Sequence, residues 1–241
     1  MKIMILNSGL ARRLKPLTDN THKSLLQVGN KTILERQIEA FVKCGFMDFL
    51  ITTGPFEDKI QAHIKEKFPN ITVTYVNNPL YDKTNYIYSM WLAREKMHDD
   101  IILLHGDLVF EDSVVEKIIK QEKSSVIVDY DEPLPEKDFK GLIINNEIKQ
   151  IGLDIFGENA AFLLPLYYWT QADMERWMKE IDSFVEQHET NCYAENAFNQ
   201  ISSEIHLHPL AIKNEFCMEI DTYEDLQKAN KLLKLPKKSL A

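Results

Sequence analysis

The chain has 241 residues, 44% of them hydrophobic, enough to bury one substantial core without requiring two full domains. Its 37 acidic side chains outnumber 28 basic ones, and the net charge of −9 disfavours nucleic acid as a partner. No apolar run reaches the roughly 18 residues that span a bilayer, and no basic segment leads into an apolar stretch at the start, so a cytoplasmic location away from membranes is expected.

A short apolar strand, Ile3 to Leu6, runs into a polar turn at Asn7, Ser8 and Gly9, and Arg12, Arg13, Lys15 and Lys23 follow closely. Such a turn leaves backbone N–H groups unpaired and converging, and the cations add charge, so the segment reads as a phosphate site. From Thr32 to Val42, Ile33, Leu34, Gln37, Ile38, Phe41 and Val42 recur at spacings of three and four, which predicts an amphipathic helix stopped by Gly45. Cys44, Cys192 and Cys217 are widely separated and offer neither a disulfide set nor a metal-ligand pair.

A strand over Phe49 to Thr53, a helix over Phe56 to Phe68 and a strand over Ile71 to Val76 come next, ended by Asn77-Asn78-Pro79. Lys83 to Met97 is predicted as a helix whose Tyr86, Tyr88 and Trp91 suit a core as well as a ligand. Ile101 to Leu104 is an apolar strand closed by His105-Gly106-Asp107. A helix over Ser113 to Gln121 and a strand over Ser125 to Asp129 complete the alternation. Alternation of this kind predicts an α/β fold, a Rossmann-like mixed and mostly parallel sheet sandwiched by helices. Ligands of such sheets sit beyond the carboxyl ends of the strands, so Asp107 and the first loop are expected to share one crevice.

From Asp131 the pattern changes. Pro133 and Pro135 break the chain, Leu142 to Ile144 and Ile148 to Ile151 form a hairpin around Asn145-Asn146, and Asn159 to Leu166 is a further strand. Helices over Gln171 to Gln187 and Tyr193 to Ile201 precede a strand near Ile205 to Leu207. Cys217 to Asp221 leads into a helix from Tyr223 to Leu233, with Asp225 three residues beyond Thr222 as in a capping box. Lys237 to Ala241 is expected to be a loose tail.

In Asn7 to Thr18 the chain resembles the nucleotidyltransferases that activate phosphorylated small molecules with nucleoside triphosphates. Their opening signature carries two glycines, an arginine, Leu-x-Pro-Leu-Thr and, a few residues on, Pro-Lys. Gly9, Arg13, Leu14 and Pro16-Leu17-Thr18 match it, and Lys23 follows His22. Ala11 stands for the second glycine, which narrows the backbone conformations available near the phosphates. Within this family the chain is most similar to cytidylyltransferases that use phosphocholine and related acceptors. Asn85-Tyr86-Ile87-Tyr88-Ser89-Met90, Tyr193-Ala194-Glu195-Asn196 and the run from Glu219 to Leu226 carry that likeness.

The resemblance implies transfer of CMP from CTP to a small phosphorylated or phosphonate acceptor, with Mg2+ as cofactor and pyrophosphate as leaving group. It implies one domain: residues 1–130 for the nucleotide, 131–215 for the acceptor, and 216–241 closing the metal site. Arg13 and Lys23 become the catalytic cations. Leu6, Asn7, Ser8, Gly9, Thr53, Asn78, Asn85 and Ser89 become nucleotide contacts. Asp107 and Asp221 become metal ligands, since magnesium takes oxygen donors, one or two of them carboxylates, although Asp221 is an equally good helix cap. For the acceptor, Tyr193 and Glu195 are expected contacts, with Asp129 and Glu158, and with Asp154, Tyr168 and Lys140 as further candidates. The phosphocholine enzymes carry an aromatic residue where this chain has Ala194, which favours an acceptor with a primary amine or an amino-acid-like group, such as aminoethylphosphonate or phosphoglutamine. A sugar-1-phosphate nucleotidyltransferase and a silent nucleotide-binding regulator are the rival readings, and a monomer or homodimer is expected.

Overall fold

Side chains on the first strand alternate between two hydrophobic clusters, and this sets the layering. In β1 (Lys2–Asn7), Ile3 and Ile5 join one hydrophobic cluster while Met4 and Leu6 join another, as side chains on a strand must when both faces are covered. A computed structural model describes residues 1–233 of the chain; the expected tail at Lys237 to Ala241 lies outside the described residues.

In order, β1 is followed by a small hairpin of β2 (Gln27–Val28) and β3 (Lys31–Thr32), then α1 (Ile33–Lys43), β4 (Asp48–Thr53), α2 (Glu57–Lys67) and β5 (Thr72–Asn77). Next come α3 (Tyr86–Ala93), β6 (Ile101–His105), β7 (Leu108–Phe110), α4 (Asp112–Ile118) and β8 (Ser125–Asp129). The second half holds β9 (Lys140–Ile144), β10 (Glu147–Gly152), β11 (Ala160–Trp169), α5 (Gln171–Glu186), α6 (Ala194–Gln200), β12 (His208–Ile212), β13 (Cys217–Glu219) and α7 (Tyr223–Leu232).

The main sheet runs β10-β9-β11-β6-β1-β4-β5, with β8 and β12 attached through β11. Strands β6, β1, β4 and β5 are mutually parallel, in the expected α/β manner, and β11 runs antiparallel to β6, β8 and β9. One face packs on α1, α2 and α4 through Phe41, Ile60 and Val114. The other packs on α3, α5 and α6 through Met90, Trp177 and Phe198. Because β1, β4, β5 and β6 are parallel and in register, Asn7, Thr53, Asn77 and His105 end at one edge, and the loops that follow them meet there.

Several boundaries depart from the expected ones for identifiable reasons. The helix expected from Lys83 begins at Tyr86, because Asn85 takes an extended conformation and caps it, and it gives way to a 3-10 turn after Ala93. The strand expected to end at Leu166 continues to Trp169, with Pro165 inside the register shift between Leu164 and Tyr167, where a ladder donor is not needed. The strand expected near Ile205 lies at His208–Ile212. Among the described residues it pairs only with β8, an edge position that tolerates Pro209. The hairpin turn falls at Asn145 and Asn146, both with positive φ, 53° and 61°, as a type I′ turn requires.

Candidate active site

The loop after β1 turns its donors toward solvent by occupying its acceptors. The Gly9 carbonyl accepts from His22 Nε2 at 3.1 Å, and the Ala11 carbonyl accepts from the Leu14 N–H and the Thr18 hydroxyl at 3.1 Å each. The backbone N–H groups of Gly9, Leu10 and Ala11 have no partner among the described residues. Successive N–H groups left free in this way can take an anion. Ala11 adopts φ 47°, ψ 48°, so the shape a glycine would take here is kept at a steric cost of about 1–2 kcal/mol. Gly54 lets the next loop approach: a Cβ there would stand 2.5 Å from the Ser8 carbonyl oxygen and 2.9 Å from Tyr81 Cβ.

Two distant acidic turns come together through a small apolar cluster. Leu14, Val109, Ile220 and Leu226 are buried in one cluster with the start of α1. Since Ile220 points into it, its neighbours Glu219 and Asp221 point the other way, and Arg13 is likewise displaced from Leu14. β7 and β13 pair antiparallel, and the Ile220 N–H donates to the Asp107 carbonyl at 3.0 Å, which joins His105-Gly106-Asp107 to Glu219-Ile220-Asp221. A Cβ on Gly106 would clash with Asn7 Oδ1 and lie 2.9 Å from the Leu6 carbonyl oxygen, so only glycine fits this turn. From α1, Gln37 Nε2 donates to the His105 and Leu108 carbonyls at 2.9 and 2.8 Å and pins the turn from behind.

Lys23 Nζ sits 2.6 Å from Asp107 and 2.8 Å from Asp221, and Arg13 completes the group at 2.7 Å from the other oxygen of Asp221. Burial disfavours the Lys23 charge, but the two carboxylates outweigh it and hold the ammonium protonated above its ordinary range. Burial would also raise Asp107, and the Lys23 charge reverses that and lowers it. Glu219 is pushed up to about 7, first by burial and then by the neighbouring Asp107 and Asp221 charges, with His105 opposing. His105 lies 3.6 Å from Glu219; burial opposes its charge, yet Glu219 and Asp107 raise it. His105, Asp107 and Glu219 each place one ligand atom within 4.8 Å of the others. Asp107 Oδ1 and His105 Nε2 are buried and without hydrogen-bond partners among the described residues. Unpaired buried donor atoms around converging carboxylates fit a divalent cation. Asp221 does not cap α7: Thr222 does, in a capping box with Asp225, which leaves the Asp221 carboxylate to the cations.

Two adjoining cavities, of about 150 and 350 Å³, open on this group. The smaller is lined by Leu6 to Gly9, Asn78, Tyr81, Thr84 and Asn85; the larger by Arg12, Arg13, Asp138, Phe139, Leu153 and Tyr193. Lys23, Tyr86, His105 and Asp107 line both. In the larger, the Tyr193 ring lies 5.0 Å from Phe139 edge-on and 6.0 Å from Tyr86. Asp138, half-buried, has no ion-pair partner among the described residues, and burial, then the Asp221 and Asp225 charges, raise its carboxyl.

The structure brings together Arg13, Lys23, Asp107 and Asp221, along with Leu6, Asn7, Ser8, Gly9, Asn78, Asn85 and Tyr193. Ser89 is one layer back, its hydroxyl 2.7 Å from that of Ser8. Four expected contacts lie elsewhere. Thr53 spends its hydroxyl on Glu57 from α2. Glu195 is buried behind the wall, accepting from the Tyr167 hydroxyl at 2.9 Å and from the Tyr86 hydroxyl. Asp129 caps its own turn through the Asp131 and Glu132 N–H groups at 2.8 and 3.1 Å, and Glu158 is exposed on the loop after β10. Asp154 is exposed as well; Tyr168 donates to Asp100 at 3.0 Å, and the buried Lys140 ammonium holds the Asp138 carbonyl at 3.0 Å. Gln37, His22, Tyr81 and Asp138 were not among the expected residues. A polar residue on the apolar stripe of α1 was the available signal for the first, and a histidine in place of proline for the second.

Comparison with known proteins bears on the family and the fold. A Streptococcus pneumoniae choline-phosphate cytidylyltransferase is 26% identical over 235 residues, spanning 97% of this chain and 99% of that protein. A Campylobacter jejuni CTP:phosphoglutamine cytidylyltransferase is 28% identical over 136 residues, 54% of this chain and 53% of that one. The solved structure of the S. pneumoniae CTP:phosphocholine cytidylyltransferase superposes with a TM-score of 0.79 at 23% identity, over 97% of this chain and 99% of the other, and shares its fold. The family model for nucleotidyl transferases matches residues 2–141, and the chain belongs to that family of enzymes.

Proposed function

We propose that the protein transfers the cytidylyl group of CTP to a small phosphorylated or phosphonate acceptor bearing a positively charged nitrogen, with Mg2+ as cofactor. The observation that carries the reading is the larger cavity: Arg13 and Lys23 in its lining suit a phosphate or phosphonate, and Asp138, with no ion-pair partner among the described residues, suits an ammonium group together with Phe139 and Tyr193. The relatives whose names pair cytidylyl transfer with choline phosphate and phosphoglutamine support the same donor and class of acceptor.

An acceptor oxygen attacks the α-phosphorus of CTP, the bond from that phosphorus to the bridging oxygen breaks, and pyrophosphate leaves. No general base is required, because a phosphate monoester with a second pKa of about 6 is already ionised at neutral pH. The N–H groups of Gly9, Leu10 and Ala11 bind the triphosphate, and Lys23 and Arg13 hold positive charge where negative charge accumulates. Asp107 and Asp221, with Glu219 beside them, would hold the magnesium ion, which when bound neutralises charge on the phosphate oxygens. Residues 1–130 act on the nucleotide, 131–215 on the acceptor and 216–233 complete the cation site. The product is a building block for cell-surface polysaccharide or lipid, CDP-linked from a phosphate acceptor and CMP-linked from a phosphonate.

Pyrophosphate release over a grid of four nucleoside triphosphates against phosphocholine, phosphoethanolamine, aminoethylphosphonate, phosphoglutamine and sugar 1-phosphates tests the proposal. Turnover with CTP and a nitrogen-bearing acceptor is expected; turnover with a sugar 1-phosphate alone overturns it.

A further inference from the structure

His22 occupies the position where the family signature has proline, and it is 4% exposed, with both ring nitrogens engaged. Its tautomer follows from its partners. The Ser24 backbone N–H, which can only donate, points at Nδ1 from 3.2 Å, so Nδ1 carries the lone pair and the proton is on Nε2. Nε2 therefore donates to the Gly9 carbonyl at 3.1 Å. With Nδ1 an acceptor, the Ser24 hydroxyl donates to it at 2.9 Å and accepts from Asn7 Nδ2 at 2.9 Å. The Asn7 N–H in turn donates to Thr52 Oγ1 at 3.1 Å. The chain Asn7–Ser24–His22–Gly9 thus runs in one direction and grips the phosphate loop on both sides of Ser8.

The grip has two consequences. It turns the Gly9 carbonyl, a dipole that would repel phosphate, onto His22, while the N–H groups of Gly9, Leu10 and Ala11 stay free of partners among the described residues. It also caps the short turn Lys23–Leu25, which aims Lys23 between Asp107 and Asp221. A proline at this position supplies no side-chain donor for Gly9.

We propose that His22 is a positioning residue for triphosphate binding: as the Nε2–H tautomer it holds the Gly9 carbonyl away from the phosphates and sets the loop's donors toward them. The inference rests on the nucleotidyl-transfer reading of this site, and two variants separate its parts. His22→Asn keeps an acceptor for the Ser24 N–H but loses the reach to Gly9. His22→Gln can restore a donor to Gly9.

The experiment is calorimetric titration of magnesium CTP into wild type and both variants, with steady-state kinetics for CTP and the acceptor and a thermal melt of each protein. His22→Asn is expected to weaken CTP binding about tenfold, the effect of losing one well-placed interaction of roughly 1.4 kcal/mol, and to raise KM for CTP alike. KM for the acceptor should stay within about twofold, and His22→Gln should recover part of the loss. Wild-type CTP affinity in a folded His22→Asn protein overturns the inference and leaves the proposed function standing. A loss spread equally over both substrates, tracking a lower melting temperature and not recovered by His22→Gln, also overturns it. Wild type that does not bind magnesium CTP overturns the proposed function and this inference with it.

Discussion

The Lys23 ammonium lies 2.6 Å from the Asp107 carboxylate, and the same ammonium reaches Asp221 at 2.8 Å. One cation therefore bridges two carboxylates, one from the middle of the chain and one from near its end, and Arg13 supplies the second positive charge. Replacing it by methionine leaves both carboxylates facing each other, and a partner removed from a largely buried ion pair costs about 3–5 kcal/mol. Lys23→Met is expected to melt well below wild type in EDTA. Added Mg2+ should raise the variant's melting temperature by more than the wild type's, because the ion replaces charge the variant lacks. Equal melting curves in EDTA would contradict the arrangement.

Ala11 holds a left-handed backbone conformation, φ 47°. Ala11→Gly relieves the contact of Cβ with its own peptide, and about 1 kcal/mol of added stability in urea is expected, lessened by the greater freedom of glycine in the unfolded chain. CTP affinity should be unchanged or tighter, since the loop keeps its shape. A destabilised glycine variant would show that the conformation is not strained.

Burial, then the Lys23 charge, lower His22 to about 4 from the ordinary 6.5. The unfolded chain therefore takes up a proton between pH 6.5 and about 4 that the folded chain resists. His22 leaves stability intact above pH 6.5 and subtracts from it progressively as pH falls toward 4, by about 3 kcal/mol in all. Urea denaturation of wild type against His22→Gln across that window checks the sign: the variant should lose less stability on acidification.

Glu195 supports two tyrosines and touches neither cavity. Glu195→Gln keeps an acceptor and a donor for hydroxyl groups that can rotate, so the acceptor KM is expected within about twofold of wild type. Glu195→Leu leaves two buried hydroxyls unpaired, at about 1–3 kcal/mol each. A large rise in acceptor KM for the glutamine variant, with normal stability, would return Glu195 to the acceptor site.

Much of the site was legible because its chemistry is local. The polar turn after β1, the cations that follow and the aspartate ending an apolar strand are each contained in a few residues, periodicity located α1 closely, and the expected bounds of β4 and α5 also lie within a residue of those observed. What the sequence hid is contact at long range. β7 and β13 have three residues apiece, too short for any period, yet their pairing carries Asp107 to Glu219. Gln37 fits the spacing of an apolar stripe and spends its amide on two carbonyls of the acidic turn. Glu195 carries a charge in a motif shared with acceptor-binding enzymes, and only the positions of Tyr86 and Tyr167 reveal where that charge points. Asp138 lies in a stretch broken by prolines, where no pattern marked it.

The most direct test compares pyrophosphate release by wild type and Asp107→Asn, with CTP, Mg2+ and an amine-bearing phosphonate or phosphate acceptor. Wild type should release pyrophosphate only when both substrates are present. Asp107→Asn should fold, melt within a few degrees of wild type and lose about a hundredfold or more of the rate, the scale of removing one charged group from the reacting centre. Release without acceptor, or an Asp107→Asn protein as active as wild type, would contradict the account.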